Sequence, residues 1–541
     1  MKAASVIIVG AGPVGLTLAL ECSRRKVPFR IFDEAPKPVE KSGAVLLWSN
    51  IQEIFSALGI SNSVQQTSWG SLEGVRVCSP HRILKDVFFA KEVDSPYPLP
   101  LVVQQSQVEA IMLAELTSAG HAVERSLEFI SLEQDEQRVK AVFIDHAHDD
   151  EKVTVEGDYL VGCDGAQSAV RHAVGISFGK SPPSECFILC DARVRGMETA
   201  IRSLHLFTSS AGPLTMFPLH GDYWRIISSR GEGAGTALPT TEEMQEHLDM
   251  RCGPRGIVIE NAERFHCSRI IERRITRFRD GRVLLAGDAA HVHNLATAQG
   301  MNVGVRDAYN LAWKLDAVLR RQVDAESALG SYAIERENIV DRIIAKTQQL
   351  MGIVFLSRYP FGGFPALFAG LALGCSPENS IANVLAAVKS RYKNPGPLIS
   401  DDHLWHEDWR DYGFMPGQRV RDAVLQLGNA AGRLLPMVMD AMAGTFLLFS
   451  GREPRADDVD AIEMFASVAQ KHFPEMQIFK IWRGAKTPGE DWISDSDCSL
   501  HRRFGVDFCA GYFIRPDGVV ASRSQPLNIE MLPRQNSEIK K

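Results

Sequence analysis

Short apolar runs and amphipathic stretches alternate along the first part of the chain. Residues 5–9 form a β-branched run that predicts a strand, and Leu16 and Leu20 then lie on one face of a predicted helix. A second apolar run, residues 29–32, predicts another strand, which ends at Asp33. A strand, a helix and a strand in this order predict a parallel sheet.

The pattern changes twice along the middle of the chain. Residues 99–119 show helical spacing after a proline, and residues 137–161 alternate as strands do. Between about 180 and 280, short strand-like runs are separated by Gly, Pro and Ser, which predicts an antiparallel sheet inserted into the α/β domain. A strand at 283–286 and a strong helix through 305–315 then return to the first pattern.

The rest of the chain divides at a Pro- and Gly-rich sequence. Residues 331–393 have a mainly helical pattern, residues 394–397 (NPGP) predict a linker, and strands and helices mix beyond it. The predicted fold class is α/β, with three domains: residues 1–178 together with 281–393, an inserted sheet domain at 179–280, and a small C-terminal domain at 400–541.

One uncharged segment, residues 359–377, is nearly long enough to span a membrane. Prolines and glycines interrupt it, so it is interpreted as a buried or substrate-lining segment, with a membrane span as the minority alternative. No integral membrane segment is therefore expected.

The charge balance and the cysteines exclude several classes of protein. The 541 residues include 59 Lys and Arg against 66 Asp and Glu, a formal net charge of −7, with no long basic run. Nucleic-acid binding is not expected, because it needs clustered cations. The 10 cysteines are scattered without a CxxC motif or metal-ligand spacing, which predicts a reducing, cytoplasmic compartment and no metal site.

The first candidate site is the glycine-rich turn between the first strand and the first helix. Its residues are Gly10, Gly12, Pro13, Val14 and Gly15. Glycines allow a tight turn and a close backbone approach to a pyrophosphate, which the helix N-terminus attracts. Asp33, followed by Glu34, stands where a carboxylate accepts hydrogen bonds from a ribose diol and disfavours a 2′-phosphate. The combination predicts a dinucleotide site.

Two acidic residues follow later predicted strands. Asp164 lies in an Asp-Gly turn after the strand at 159–162, and taken alone it is best explained as a simple strand-end turn. Gly287 and Asp288 follow the strand at 283–286. There the carboxylate would bind ribityl hydroxyls or, as the alternative, cap a helix.

A third set of candidates opens the helix after the second of these acids. Gly300, Met301 and Asn302 stand at its start. A helix N-terminus presents backbone N–H groups and a partial positive charge, which would favour an anion such as reduced flavin.

Four stretches of the sequence resemble one enzyme family. They are GAGPVG at 10–15, CDGAQSAVR at 163–171, GRVLLAGDAAH at 281–291 and QGMNVGVRDAYNLAWKL at 299–315. Through them the chain resembles the single-component FAD-dependent aromatic hydroxylases, also called group A flavoprotein monooxygenases. PGQRV at 416–420 and RPDGVV at 515–520 are similar to the phenol hydroxylase and polyketide hydroxylase branch.

The resemblance implies a fold, cofactors and partners. The fold is an FAD-binding Rossmann-like domain with an inserted antiparallel-sheet substrate domain and a C-terminal thioredoxin-like domain without redox cysteines. Gln105 matches a polar position that contacts FAD in the family. The family also implies NADPH or NADH as a transient co-substrate, a small aromatic substrate with O2, and a homodimer as the assembly.

The reaction implied by the resemblance is a hydroxylation. NAD(P)H reduces FAD, O2 adds at flavin C4a, and the hydroperoxide hydroxylates a phenolic or polyketide-like ring. His205, His220, Tyr223 and Arg225 are candidates for activating the substrate, and none of them is singled out as the catalytic residue. Two alternatives stay open: the same scaffold catalysing Baeyer–Villiger oxidation or epoxidation, and a non-catalytic binding protein on the FAD fold.

Three places depart from the family pattern. Gly43 and Ser49-Asn50 stand where the family usually has arginines. Residues 294–298 (NLATA) replace a Pro-Pro or Pro-Thr run close to the flavin ring. Flavin binding is therefore expected to differ in detail at these places.

Overall fold

The computed structural model describes most of the chain. The described residues are 5–38, 46–91, 93–179, 186–197, 201–231, 234–269, 272–293, 298–355, 391–392, 398–399, 403–404, 413–427 and 430–533. The predicted linker at 394–397, the uncharged segment 359–377, Gly43 and residues 294–297 lie outside these ranges.

Strands and helices are numbered here in chain order. The strands are β1 Val6–Val9, β2 Phe29–Asp33, β3 Leu46–Leu47, β4 Gly74–Cys78, β5 Ile83–Phe88, β6 Leu101–Val102, β7 Val123–Arg125, β8 Leu127–Gln134, β9 Val139–Asp145, β10 Glu151–Gly157, β11 Tyr159–Gly162, β12 Cys186–Arg195, β13 Ser203–Phe207, β14 Leu214–Pro218, β15 Tyr223–Gly231, β16 Val258–Arg269, β17 Arg273–Arg274, β18 Arg279–Asp280, β19 Val283–Leu285, β20 His291–Val292, β21 His403–Leu404, β22 Val424–Leu427, β23 Ala430–Arg433, β24 Thr445–Phe449, β25 Gln477–Trp482, β26 Trp492–Ser494, β27 Ala510–Ile514 and β28 Val520–Gln525. The helices are α1 Pro13–Arg24, α2 Ser49–Ala57, α3 Ser61–Thr67, α4 Gln105–Ser118, α5 Ala169–Ala173, α6 Thr241–Cys252, α7 Gly300–Leu319, α8 Ala325–Phe355, α9 Leu434–Asp440, α10 Ala456–His472 and α11 Ser499–Phe504.

The first sheet contains the N-terminal strand–helix–strand unit. Its six strands run in the order β18-β19-β11-β1-β2-β7, and β1 pairs in parallel with both β2 and β11. Every residue of β1 is buried, as expected for a parallel strand with helices on both faces. The predicted parallel sheet is confirmed.

One predicted helix begins later than expected. Helix α4 starts at Gln105, whereas Leu101–Val102 pair with Leu46–Leu47 as strands β6 and β3. The prediction was wrong for residues 99–104, because pairing with a distant strand outweighs local helical spacing.

The predicted antiparallel sheet is also present, with two additional strands. Its seven strands run in the order β16-β12-β15-β14-β13-β4-β5. Its neighbouring strands are antiparallel except for β13 and β4, which pair in parallel. Strands β4 and β5 come from residues 74–88 and thus join a sheet formed mainly by residues 186–269.

The C-terminal part is built on an eight-stranded sheet in the order β21-β28-β27-β24-β25-β26-β22-β23. Its central strand β24 is buried on both faces. Phe446 and Leu448 pack towards helix α10, and Leu447 and Phe449 pack towards α9 and α11. The thioredoxin-like character of this part and the exact division into three domains stay predictions.

Helices α7 to α9 connect the first sheet with the C-terminal part. Leu435 and Met439 of α9 belong to the same apolar core as strand β1. Helix α8 confirms the predicted helical pattern over residues 331–355. Residues 356–390 lie outside the described ranges. Among the described helices, none has the length and apolar character that a membrane crossing requires.

Candidate functional site

The sequence motifs meet at one edge of the six-stranded sheet. Strands β1, β2, β11 and β19 are parallel, so their carboxyl ends lie side by side. The glycine-rich turn follows β1, Asp33 ends β2, and the Asp164 turn follows β11. Strand β1 lies between β2 and β11, so the chain crosses to opposite sides of it. Ligands of open α/β sheets bind in the crevice at such a switch point.

The glycine-rich turn packs closely on the turn that follows β11. Gly10 has a φ of +99°, and a Cβ built there would lie 2.4 Å from the carbonyl oxygen of Cys163. A Cβ at Gly15 would lie 1.9 Å from the carbonyl oxygen of Gly10. By contrast, a Cβ at Gly12 would have no atom of the described protein within 4 Å. The turn is thus tight where it meets protein and open beside the N-terminus of α1, which fits a pyrophosphate.

Asp33 is held beside this turn by the backbone. Its Oδ2 accepts a hydrogen bond of 2.6 Å from the backbone N–H of Ala11. Its Oδ1 accepts one of 3.0 Å from Ala35 and lies 3.5 Å from Nη1 of Arg125. Glu34, next along the chain, is exposed. The carboxylate therefore lies next to the turn, as a ribose-binding acid requires.

Gln105 contacts Glu109, whose carboxyl group lies near enough to Asp33 to be affected by its charge. The Gln105 Nε2 donates a 2.7 Å hydrogen bond to Glu109 Oε1. Burial raises the pKa of Glu109, the hydrogen bond from Gln105 opposes this rise, and the charge of Asp33 adds to it. Sequence reasoning missed Glu109 and Arg125. Arg125 is the residue paired with Asp33 in strand β7, and no motif marks that position.

Asp164 is engaged by its own turn. Its two oxygens accept hydrogen bonds from Ser168 Oγ at 2.6 Å and from the backbone N–H of Val170 at 3.0 Å. Burial raises its pKa, and the bond from Ser168 lowers it. The nearby Arg171 donates a 3.1 Å hydrogen bond to the carbonyl oxygen of Ala289. The segment that follows β11 is therefore held in place by its own hydrogen bonds and by the bond to Ala289. A contact of Asp164 with FAD stays a prediction.

The Gly287 turn and the start of α7 pack directly on the start of α1. A Cβ at Gly287 would lie 2.7 Å from Cγ2 of Val14, and one at Gly304 would lie 2.6 Å from the same atom. Only small residues permit this approach of helix α7, the Gly287 turn and the start of α1. Pro13, which is the first residue of α1, has a fixed φ suited to a helix start.

Asp288 and Gly300 lie next to each other in this packed arrangement. A Cβ at Gly300 would be 3.7 Å from Asp288 Oδ1. The Asp288 side chain is exposed, yet desolvation by the surrounding protein raises its pKa. An accessible carboxylate with many protein neighbours is typical of a crevice, where ligand hydroxyls can donate to it.

The Asn302 side chain makes hydrogen bonds within the protein, and a contact of Met301 or Asn302 with FAD stays a prediction. Its Oδ1 accepts a 2.9 Å hydrogen bond from the backbone N–H of Trp48, and its Nδ2 donates to the carbonyl oxygens of Leu46 and Ala298 at 2.9 and 2.8 Å. Met301 beside it is half-buried against the core. Asn302 therefore ties strand β3 to the start of α7.

A buried acid on α7 fixes the position of the Gly287 turn. Asp307 accepts hydrogen bonds from the backbone N–H of Gly287 at 2.9 Å, from His291 Nε2 at 2.6 Å and from Arg336 Nε at 2.5 Å. Burial alone would raise the pKa of Asp307, but Arg336 and His291 lower it below its usual range. Burial, together with the charges of His291 and Arg336, lowers the pKa of His293 to about 3, so that side chain is neutral. Sequence reasoning placed Asp307 on the helix without identifying this role.

An apolar face of the seven-stranded sheet extends from the start of α7. Alternate residues of β4, β12, β14 and β15 point to this face, which we call the aromatic face together with the residues that cover it. Its buried strand residues are Val75, Val77, Phe187, Phe217 and Ile227, and the buried residues from other segments are Leu46, Trp48, Leu72, Phe89, Val93, Val102 and Leu219. Trp48 and Phe89 contact edge to face, with ring centroids 5.5 Å apart. Ala298 packs against the same cluster. The face is thus continuous with the segment that leads into α7.

The four candidates for substrate activation are divided between the two faces of the sheet. Arg225 lies on the same face of β15 as Tyr223 and Ile227, which belong to the aromatic face, and it forms a bidentate ion pair with Asp191 at 2.7 and 2.9 Å. His205 contacts Trp224 edge to face on the opposite side.

His220 lies at the rim of the aromatic face. Its ring stacks on Tyr223, with centroids 5.0 Å apart, and lies 4.9 Å from Trp69. The geometry thus places Arg225, Tyr223 and His220 at this face and separates His205 from it.

Comparison with known proteins agrees with this geometry. The family model described as the FAD binding domain matches residues 3–347. A flavin-dependent monooxygenase of Mycobacteroides abscessus is 31% identical over 359 residues, which are 64% of this chain and 74% of that protein. The 6-methylpretetramide 4-monooxygenase of Streptomyces rimosus is 29% identical over 532 residues, which are 96% of this chain and 90% of that one.

A solved structure has the same overall fold. The ternary complex of aklavinone-11 hydroxylase with FAD and aklavinone matches with a TM-score of 0.77 at 21% identity. The match covers 98% of this chain and 97% of that one. At this identity the likeness shows the fold alone.

Proposed function

The chain belongs to the FAD binding domain family, and from this membership we propose that it is a monooxygenase whose substrate is a fused-ring phenol of the polyketide class. It is an FAD-dependent aromatic hydroxylase with NAD(P)H as co-substrate. One observation carries the choice of substrate class: the aromatic face is apolar, lined with rings and continuous with the segment that leads into α7. The members of this cluster are buried against one another, so a flat, extended aromatic molecule would lie at its edge, beside the partly buried Trp69, Tyr223 and Ala298.

The crevice residues would hold the cofactor. Gly10, Gly12 and the N-terminus of α1 would face the pyrophosphate, Asp33 the ribose, and Asp288 the hydroxyls nearer the ring. The N-terminus of α7 would face negative charge on the ring. When bound, FAD supplies electron transfer from NAD(P)H and the activation of O2.

The chain's own residues then position the substrate and keep the site dry. The aromatic face excludes water from the ring system. Arg225 donates to Asp191 in a buried pair, and we propose that it also donates to a phenolic or keto oxygen of the substrate. A cation beside a phenol favours its ionised form, which is the more nucleophilic one.

The test is an assay of the purified, yellow protein with a panel of fused-ring phenols, single-ring phenols and cyclic ketones. We expect fused-ring phenols to stimulate NAD(P)H oxidation most and to give a product that gains one oxygen as a new hydroxyl group. An ester or epoxide product would support Baeyer–Villiger or epoxidation chemistry instead. A colourless protein that takes up no added FAD would support the binding-protein alternative.

Arg225→Lys tests the proposed substrate contact. It keeps the charge beside Asp191 but loses the bidentate geometry, so we expect KM for the substrate to rise about tenfold, which equals about 1.4 kcal/mol. FAD content should not change. Steady-state kinetics with the best substrate gives the answer, and Arg193→Lys, at an exposed position of β12, is the control. An unchanged KM would remove Arg225 from the substrate site.

Three further points complete the proposal. We propose a cytoplasmic location, which agrees with the free thiols of the described cysteines. Use of O2 follows from the proposed reaction. The homodimer stays a prediction that light scattering can check.

A further inference from the structure

A small cavity lies away from the crevice, where helices α2, α7 and α8 meet the C-terminal part. Asn50 of α2, Arg306 of α7 and Arg336 of α8 line it from one side, and Arg419 and Asp517 from the other. Its volume is about 40 Å³. That is room for a small ion or a few water molecules and not for a nucleotide or an aromatic substrate.

Two of its three arginines are paired with acids. Arg336 binds Asp307 through Nε, and Arg419 binds Glu53. Arg306 has no ion pair with any described residue and is half-buried. Desolvation and the charges of Arg336 and Arg419 lower the pKa of Arg306 to about 10, which still leaves it charged at neutral pH.

The other charges near the cavity balance one another. Arg515 pairs with both Glu335 and Asp517, and Lys314 pairs with Glu335. These are two cations and two carboxylates. The positive charge of Arg306 is therefore the one left over among the charged groups described here.

Several buried donors of the paired arginines also lack partners among the described residues. They are Nη2 of Arg336 and both Nε and Nη1 of Arg419. Arg336 is 1% exposed and Arg419 is 6% exposed. A buried donor without a partner destabilises the folded state, and more so when it is charged, so an acceptor is expected beside it.

Asn50 also lines this cavity. Its Oδ1 is buried without a partner among the described atoms.

We propose that this cavity binds one small inorganic anion, held by Arg306, Arg336 and Arg419 across the junction between the FAD-binding part and the C-terminal part. The anion neutralises Arg306 and accepts hydrogen bonds from the unpartnered guanidinium donors. Because only the docked, folded chain brings the three arginines together, anion binding stabilises that state.

The test is thermal unfolding of the holoenzyme in sodium chloride, or in sodium phosphate, against sodium gluconate at equal ionic strength. Gluconate is too large for the cavity. We expect chloride or phosphate to raise Tm by about 2 °C or more in a saturable way, with the half-saturating concentration raised at least tenfold in Arg306→Gln. Arg306→Lys should keep part of the response.

The control is Arg138→Gln, because Arg138 is 67% exposed and pairs with Glu156 far from the cavity. It should respond as the unmodified protein does. A second measurement does not depend on any variant: crystals grown in sodium bromide should show an anomalous peak within hydrogen-bond distance of Arg306. Equal responses to all three salts, with no bromide peak, would overturn the proposal.

Discussion

Gly12→Val is expected to give a folded protein that no longer retains FAD. Gly12 has a φ of −75° and a ψ of −173°, which is extended backbone that valine adopts without strain. A Cβ there meets no described atom beyond its chain neighbours within 4 Å, so the two methyl groups of valine branch from a Cβ in open space. They fill the open side of the turn, where the pyrophosphate must approach the backbone.

We expect FAD to bind at least 100-fold more weakly to this variant, which corresponds to about 2.7 kcal/mol. Flavin absorbance of the purified protein and calorimetric titration of the apoprotein measure the loss. Circular dichroism and the Tm of the apoprotein should not change. Unaltered FAD affinity would show that the crevice at Gly12 is not the pyrophosphate site.

Gly235→Val is the matched control for this substitution. A Cβ added at Gly235 would also meet open space, and the φ of this residue lies outside the left-handed range. It lies near the seven-stranded sheet, away from the glycine-rich turn. Valine there should leave FAD binding unchanged, so a difference between the two variants reports on the position and not on the residue type.

The sequence predicted best those features that depend on neighbouring residues. The apolar run of β1, the turn at Gly10 and the helix start at Pro13 are contiguous, and local chemistry specifies them. The contact of Gly10 with Cys163 was not predicted. It follows from the parallel pairing of β1 with β11, which places the carboxyl ends of both strands at one edge of the sheet.

Features that depend on distant pairs were not predicted. Residues 101–102 show helical spacing, but they pair with residues 46–47. Arg336 binds Asp307 across two helices, and nothing in either local sequence marks the pair. Arg225 and His205 looked equivalent as candidates. Strand alternation separates them, but only the folded sheet shows which face is the aromatic one.

Glu335→Gln is expected to have the largest effect on stability. Glu335 is fully buried and accepts hydrogen bonds from Arg515 at 2.7 and 2.9 Å, from Lys314 at 2.9 Å and from Asn310 at 3.0 Å. Removing its charge leaves Lys314 without a carboxylate partner among the described residues. It also weakens the ion pair with Arg515. Breaking a buried pair in this way costs about 3–5 kcal/mol. Urea unfolding at pH 7, followed by circular dichroism, measures the loss.

The pH dependence of this loss separates charge from packing. Burial alone would raise the pKa of Glu335, but the charges of Arg515 and Lys314 and their hydrogen bonds hold it well below 4.5. The contribution of a carboxylate with a lowered pKa is present above its ordinary pKa and is lost as the pH falls. The difference in unfolding free energy between the unmodified protein and the Glu335→Gln variant should therefore shrink below pH about 4.5. A difference that stays constant with pH would assign the lost stability to packing. The control is Glu156→Gln, because Glu156 belongs to an exposed ion pair. This variant should change the free energy of unfolding by less than about 0.5 kcal/mol at every pH.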